Sequence, residues 1–374
     1  EKVKKLIENL PETFVGKRGI LVIIKDKSYY EIEEETEELT ALSETLGIKI
    51  IEKFYIKLQQ INPATYIGKG KLEEIKNFIQ KNNISILIFE KDLTPVQQRN
   101  IEETLGIKVI DRTELILYIF GEHAHSKEGK IQVELAQLNY LLPRLTGQGI
   151  SLSRLGGGLG TRGPGEMKLE VYRRRIKDRI HILKEKIKDI EKHREVLRKS
   201  REMFPTASLL GYTNVGKSSL LNSLSSSNLY VADKLFATLD PATRGVYLGD
   251  NKICLISDTV GLLKNIPHHL IEAFKSTLEE VKYSDLIICV YDISKPNLDK
   301  QKDTITEVLK ILAIENKPKI DVFNKIDLLP NEEIEIIKSR YPDFIFVSAK
   351  TKEGIEELKK TIKEILYGSK VIST

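Results

Sequence analysis

The chain has 374 residues, 41% of them hydrophobic and 30% charged. That is more than one average domain needs and enough to bury two separate cores in a soluble globular protein. No apolar run approaches bilayer length, and the charged stretch from Glu1 to Pro11 does not have the character of a signal peptide, so stable membrane insertion is not expected. The net charge is +5, but Met167 to Glu202 alone holds 14 Lys and Arg against 7 Asp and Glu, so the basic character belongs to one segment.

The first part alternates strand and helix signals: strand at Gly19 to Ile24, helix at Glu31 to Leu46, strand at Ile48 to Phe54, helix at Lys71 to Gln80, strand at Ile84 to Phe89, helix at Pro95 to Leu105, and a short strand at Lys108 to Ile110. Parallel strands need helical crossovers, so this alternation predicts a small parallel-sheet α/β domain over 1–112. Strand signals then stop. Ile131, Leu135, Leu138 and Leu142 share one helical face ahead of Pro143, which is expected to stop that helix. Residues 146–165 are glycine-dense and aperiodic and carry Arg154 and Arg162, so they are expected to form a loop. From Leu169 onward, Tyr172, Ile176, Ile180, Leu183, Ile187, Ile190 and Leu197 form one stripe of a long helix. The two helices are expected to pair as an antiparallel hairpin over 113–204, with the glycine loop at its tip and the basic residues outside. Taken alone, that charge run reads first as the solvated face of a helix.

Beyond Pro205, strands at Ala207 to Leu210, Gly245 to Leu248, Ile253 to Ile256, Leu286 to Val290, Ile320 to Phe323 and Phe344 to Val347 alternate with helices up to Leu366, which predicts a doubly wound α/β domain over 205–374. Cys254 and Cys289 both lie in apolar strand runs. They are expected to be buried thiols in a reducing cytoplasm, with neither a disulfide nor a metal site. The abundance of Ile, Lys and Glu without Trp hints at a thermophile.

Gly211, Tyr212, Thr213, Asn214, Val215, Gly216, Lys217 and Ser218 match the P-loop pattern between a strand and a helix, with Ser219 continuing into the helix. Glycines let the backbone wrap phosphates, and its N–H groups and the helix N-terminus attract the anion. Lys217 is placed to reach the β and γ oxygens and Ser218 to ligate Mg²⁺. Asn324, Lys325 and Asp327 follow a strand. The Asp327 carboxylate can accept from both N1–H and the exocyclic amine of guanine, a donor pair that adenine lacks. Ser348, Ala349 and Lys350 follow the last strand, where the Ala349 N–H can reach the guanine O6. Asp258 would hold Mg²⁺ through water and the Gly261 N–H would sense the γ-phosphate. Thr238 is the preferred switch threonine for Mg²⁺, with Thr243 as the alternative. Leu262 cannot orient an attacking water. Slow intrinsic hydrolysis, completed by another group or a partner, is therefore expected. His123 and His125 are expected to be ordinary loop histidines, and Gly68 to Lys71 a turn leading into a helix or a second nucleotide contact.

With these motifs in place, the chain resembles the HflX family of translation-associated GTPases over nearly its whole length. The resemblance rests on Tyr66-Ile67-Gly68-Lys69-Gly70-Lys71, on Asp111-Arg112-Thr113-Glu114-Leu115 together with Leu142-Pro143-Arg144-Leu145, and on Gly160-Thr161-Arg162-Gly163-Pro164-Gly165-Glu166. It implies a GTPase timer that docks on the large ribosomal subunit and its rRNA, some members splitting or rescuing stalled ribosomes under stress; the chain itself is expected to be a monomer. Arg154, Arg162, Arg173, Arg174 and Arg175 become the RNA-contact candidates. Asn214 stands where several related GTPases coordinate K⁺, which leaves K⁺-stimulated hydrolysis open. Two other readings stay open: an ATP-driven RNA remodeller working through the N-terminal domain, and a non-enzymatic guanine-nucleotide sensor.

Overall fold

The run Arg18–Ile24 is apolar from Ile20 onward and becomes β1, every residue after Arg18 being buried. In the computed structural model, which describes residues 14–145, 164–199, 204–225, 242–259, 261 and 280–368, this strand is central to a four-stranded sheet. The order is β2-β1-β3-β4, with β2 at Lys49–Ile56, β3 at Ile86–Phe89 and β4 at Lys108–Asp111, all parallel. Strands buried on both faces lose the alternating pattern of a half-exposed strand, which is why β3 is the uninterrupted apolar tetrapeptide Ile86–Phe89. The crossovers are α1 at Tyr29–Thr45, α2 at Lys69–Asn82 and α3 at Pro95–Leu105. The limits of α3 are written in its chemistry. Thr94 and Gln97 form a reciprocal capping box, Pro95 opens the first turn, and Gly106 closes the helix in the left-handed region at φ 70°.

Two elements depart from the sequence expectations. Arg112–His123 forms α4, which no periodicity announced, because the run Leu115 to Phe120 is buried on every side and shows no polar face. Pro143 does not stop the next helix. α5 spans Lys127–Arg144, so the helix runs one residue past the proline before it ends, and the ladder bond that the proline cannot donate is lost at its very end. The long basic helix α6 covers Pro164–Lys199. Ile131, Leu135 and Leu138 of α5 and Ile176, Ile180 and Leu183 of α6 are buried, and the Arg179 guanidinium makes a forked bond to Glu134 at 2.7 and 2.8 Å, joining the two helices.

The second sheet has the order β10-β9-β8-β5-β7-β6. Its strands are β5 at Thr206–Gly211, β6 at Ala242–Tyr247, β7 at Ile253–Asp258, β8 at Leu286–Asp292, β9 at Lys319–Asn324 and β10 at Ile345–Phe346. Only β6 runs antiparallel to its neighbour. Among the described residues, helices α7 (Lys217–Ser225), α8 (Leu298–Ile311), α9 (Asn331–Arg340) and α10 (Ile355–Gly368) accompany this sheet in an α/β fold. Cys254 and Cys289 are free thiols in its core. Contacts divide the chain into two compact units, Glu1–Glu122 with Lys130–Lys188 and His123–Gly129 with Asp189–Thr374. Among the described residues no helix is long and apolar enough to cross a membrane.

Candidate nucleotide site

In an open parallel sheet, ligands bind outside the carboxyl ends of the strands, and the sequence motifs of the second unit gather there at the ends of β5, β7 and β9. Gly211 ends β5 and has no room for a side chain, since a Cβ would lie 2.3 Å from the Val290 carbonyl oxygen on β8. Gly216 combines φ +89° with a would-be Cβ 2.5 Å from Asn324 Nδ2. Between them, Tyr212 and Val215 are buried, Thr213 is half-buried and Asn214 is exposed at φ 60°. Lys217 opens α7 and lies back along its own loop, donating to the carbonyls of Gly211 at 3.0 Å and Tyr212 at 2.8 Å. Burial pushes its ammonium down to about 8, against the upward pull of Asp258.

Ser218 donates through Oγ to Asp258 Oδ2 at 2.5 Å, and Ser219 beside it is half-buried. A hydroxyl and a fully buried carboxylate at the mouth of a phosphate loop form an all-oxygen set suited to a small divalent cation. The following Thr259 is fixed by its hydroxyl on the Leu209 carbonyl at 2.6 Å. Gly261 is buried against the loop, where a Cβ would lie 2.7 Å from Thr213 Cα. Thr243 sits in β6 with its hydroxyl 2.8 Å from that of Ser257. Thr238 and Leu262 lie outside the described residues.

Asn324 couples the phosphate loop to the base side. Its Nδ2 donates to the Val215 carbonyl at 2.8 Å and its Oδ1 accepts from Ala349 N at 3.0 Å. Asp327 is exposed and oriented by Ser348, whose hydroxyl donates at 2.6 Å. Ser223 on α7 donates to the Ala349 carbonyl at 2.6 Å, so the same helix that begins with Lys217 also holds the last loop. Lys350 is exposed. Lys325 has φ 70° and pairs at 2.8 Å with Asp292 at the end of β8. Neither Ser223 nor Asp292 belongs to a recognisable motif, and only the fold brings them to the site. Away from this site, Arg174 and Arg175 are exposed on α6 and Arg173 is half-buried, whereas Arg154 and Arg162 lie outside the described residues.

A glycine-lined loop between β5 and α7, a Ser–Asp oxygen pair and an Asn-Lys-x-Asp turn after β9 define the class as a P-loop GTPase. Family models agree along the chain. The GTP-binding GTPase N-terminal region matches 33–121, the GTP-binding GTPase middle region 123–201, and the model described as 50S ribosome-binding GTPase 206–325. The GTPase HflX of Caldanaerobacter subterraneus subsp. tengcongensis is 48% identical over 94% of this chain and 81% of its own length. That of Lacrimispora saccharolytica is 47% identical over 96% and 85%, and that of Escherichia coli 37% identical over 94% and 84%. The crystal structure of SsGBP with GDP superposes with a TM-score of 0.52 at 28% identity, covering 95% of this chain and all of that one. The chain belongs to the HflX family of GTPases: it binds guanine nucleotide and hydrolyses GTP.

Proposed function

We propose that the GTP-bound form docks on the large ribosomal subunit through rRNA, and that hydrolysis, slow in isolation and stimulated by the ribosome, permits release in the cytoplasm. The observation that carries this reading is the set of exposed cations on α6, Arg174, Arg175, Lys177, Lys184, Lys186 and Lys188, in a chain whose GTPase region matches a 50S ribosome-binding model. Phosphate neutralisation by Lys and Arg supplies affinity for RNA with little demand on sequence. Arg154, Arg162 and Arg173 are further RNA-contact candidates. We further propose a three-part organisation for a monomer, with residues 1–112 and 113–204 engaging the subunit and 205–374 acting as the timer.

At the nucleotide, the N–H groups from Tyr212 to Ser219 cradle the phosphates, and Lys217 leaves its two carbonyl partners for the β and γ oxygens, whose negative charge restores its ammonium. Ser218, Thr238 and, through water, Asp258 would hold Mg²⁺, which would supply charge neutralisation to the phosphates. Asn324, Lys325 and Asp327 read guanine with Ser348, Ala349 and Lys350 closing over it. Asn214, exposed at the loop, is the K⁺ candidate, so hydrolysis should run faster in KCl than in NaCl. The main test is sedimentation with purified large subunits. Binding should be stronger with a non-hydrolysable GTP analogue than with GDP and fall steeply with salt. Association indifferent to both would refute the docking.

A further inference from the structure

Lys325 would be difficult to position unaided. It stands at φ 70°, in the left-handed region, on a flexible four-carbon stem at the rim of the site, with its side chain one quarter exposed. The residue that fixes it comes from a different strand. Asp292, the last residue of β8, is 4% exposed in its side chain and accepts from Lys325 Nζ at 2.8 Å through Oδ2. Its other oxygen, Oδ1, accepts from Ser294 N at 3.0 Å and from the Ser294 hydroxyl at 2.6 Å, so the carboxylate is held on both sides. The backbone of Asp292 is locked as well. Gln301 of α8, itself buried, accepts from Asp292 N and donates to Asp292 O, both at 3.2 Å. Ile293 N donates to the Asn324 carbonyl at 3.1 Å, so the Asp292 turn and the Asn324 turn are stitched together one residue from each functional side chain.

We propose that Asp292 is a positioning residue for nucleotide binding. It holds the Lys325 side chain along the wall of the base pocket and, braced by Ser294 and Gln301, acts on affinity only through that lysine. A buried carboxylate that spends one oxygen on a turn and the other on a single rim lysine is built to hold that lysine in one place. Asp292 takes no part in phosphoryl transfer, which happens at the far end of the loop spanning Gly211 to Lys217. This inference rests on the reading of Asn324, Lys325 and Asp327 as the guanine pocket.

The experiment is a double-mutant cycle on the full chain, with Asp292→Asn, Lys325→Ala and the pair, measuring the Kd for GDP and the kcat/KM for GTP. Each single substitution should weaken GDP binding about tenfold, the scale of one charge-assisted hydrogen bond. Loss of kcat/KM for GTP should match it and be carried by KM. In the Lys325→Ala background, Asp292→Asn should have no further effect on GDP affinity. A merely structural role would give additive losses, a further drop in GDP affinity in the double variant, or a fall in kcat at unchanged KM, and any of these overturns the proposal. Lys325→Ala, which changes a partly exposed side chain, keeps the cycle readable if Asp292→Asn is unstable: full GDP affinity in Lys325→Ala alone would refute the idea. Asp327→Asn separates the underlying reading, because an amide can donate to the second carbonyl of xanthine. If that variant does not shift preference from GDP to xanthosine diphosphate, the pocket assignment fails. If it does shift while the cycle is additive, only the role of Asp292 fails.

Discussion

Arg144, the last residue of α5, lies 3.0 Å from Asp111, the last residue of β4, and places its guanidinium 3.4 Å from the centroid of the Tyr140 ring. Asp111 is fully buried and also accepts from Leu93 N, Glu114 N and the Tyr140 hydroxyl, while Arg144 donates to the Leu93 carbonyl and Gln98. The two segments that carried the family resemblance, around Asp111 and around Arg144, thus meet in space, anchoring the end of α5 to the sheet of the first unit.

Arg144→Ala is therefore expected to destabilise the first unit by about 3–5 kcal/mol at alkaline pH, because it leaves a buried, ionised carboxylate without its cation. Burial, and then the Glu114 carboxylate, push Asp111 up to about 6 while Arg144 holds it down. A folded value above the unfolded one means that this group's contribution to stability is present at low pH and lost as pH rises through about 6. Removing Arg144 moves the folded value higher still, so the defect should be small near pH 5 and reach full size above neutrality, where Asp111 must ionise alone. Urea unfolding at a series of pH values checks this, and a pH-independent defect would count against the ion pair as its cause.

Much of this fold was legible because its signals are local. The helix that opens at Pro95, the alternation of apolar runs and the P-loop each occupy one short segment. What was not legible depends on distant partners. α4 is hidden by burial on all sides, and Asp292 and Ser223 gain meaning only when β8, α7 and the last loop converge. The role of the Asp111 and Arg144 segments was invisible for the same reason, since 33 residues separate the two partners.

Gly216→Ala and Asn324→Ala probe one contact from its two sides. An added Cβ at Gly216 meets Asn324 Nδ2 and must also adopt φ +89°. GDP affinity should fall on the order of ten- to a hundredfold from that strain alone. Asn324→Ala removes the bonds to Val215 and Ala349 together, so it should weaken GDP and GTP equally. Calorimetric titration of each variant with both nucleotides checks this. A loss confined to GTP would place Asn324 in γ-phosphate recognition instead.

The two cysteines report on the second unit. Burial pushes the Cys254 thiol up to about 12 and Cys289 higher, and both are fully buried, so neither offers the thiolate that thiol reagents require. At pH 8 the folded protein should react only through unfolding. Saturating GDP at a hundred times its Kd should slow labelling about a hundredfold where opening is in fast equilibrium. Rapid labelling unaffected by GDP would show a local opening around β7 or β8.

Gly261 separates binding from hydrolysis. It is packed so closely against the phosphate loop that a Cβ would fall 2.6 Å from Thr213 Cγ2 and 2.9 Å from Thr213 N. Gly261→Ala must push the segment after β7 away from the loop, moving the N–H proposed to meet the γ-phosphate, whereas Lys217, Asn324 and Asp327 stay where they are. GDP affinity should then change by no more than about threefold, while single-turnover GTP hydrolysis with large subunits present should fall about a hundredfold, the scale of losing one preorganised donor. The comparison must be made at saturating GTP, so that a shift in KM does not pass for a loss of chemistry. If GDP affinity falls as far as the hydrolysis rate, Gly261 supports the shape of the loop itself and the γ-phosphate contact belongs to another group.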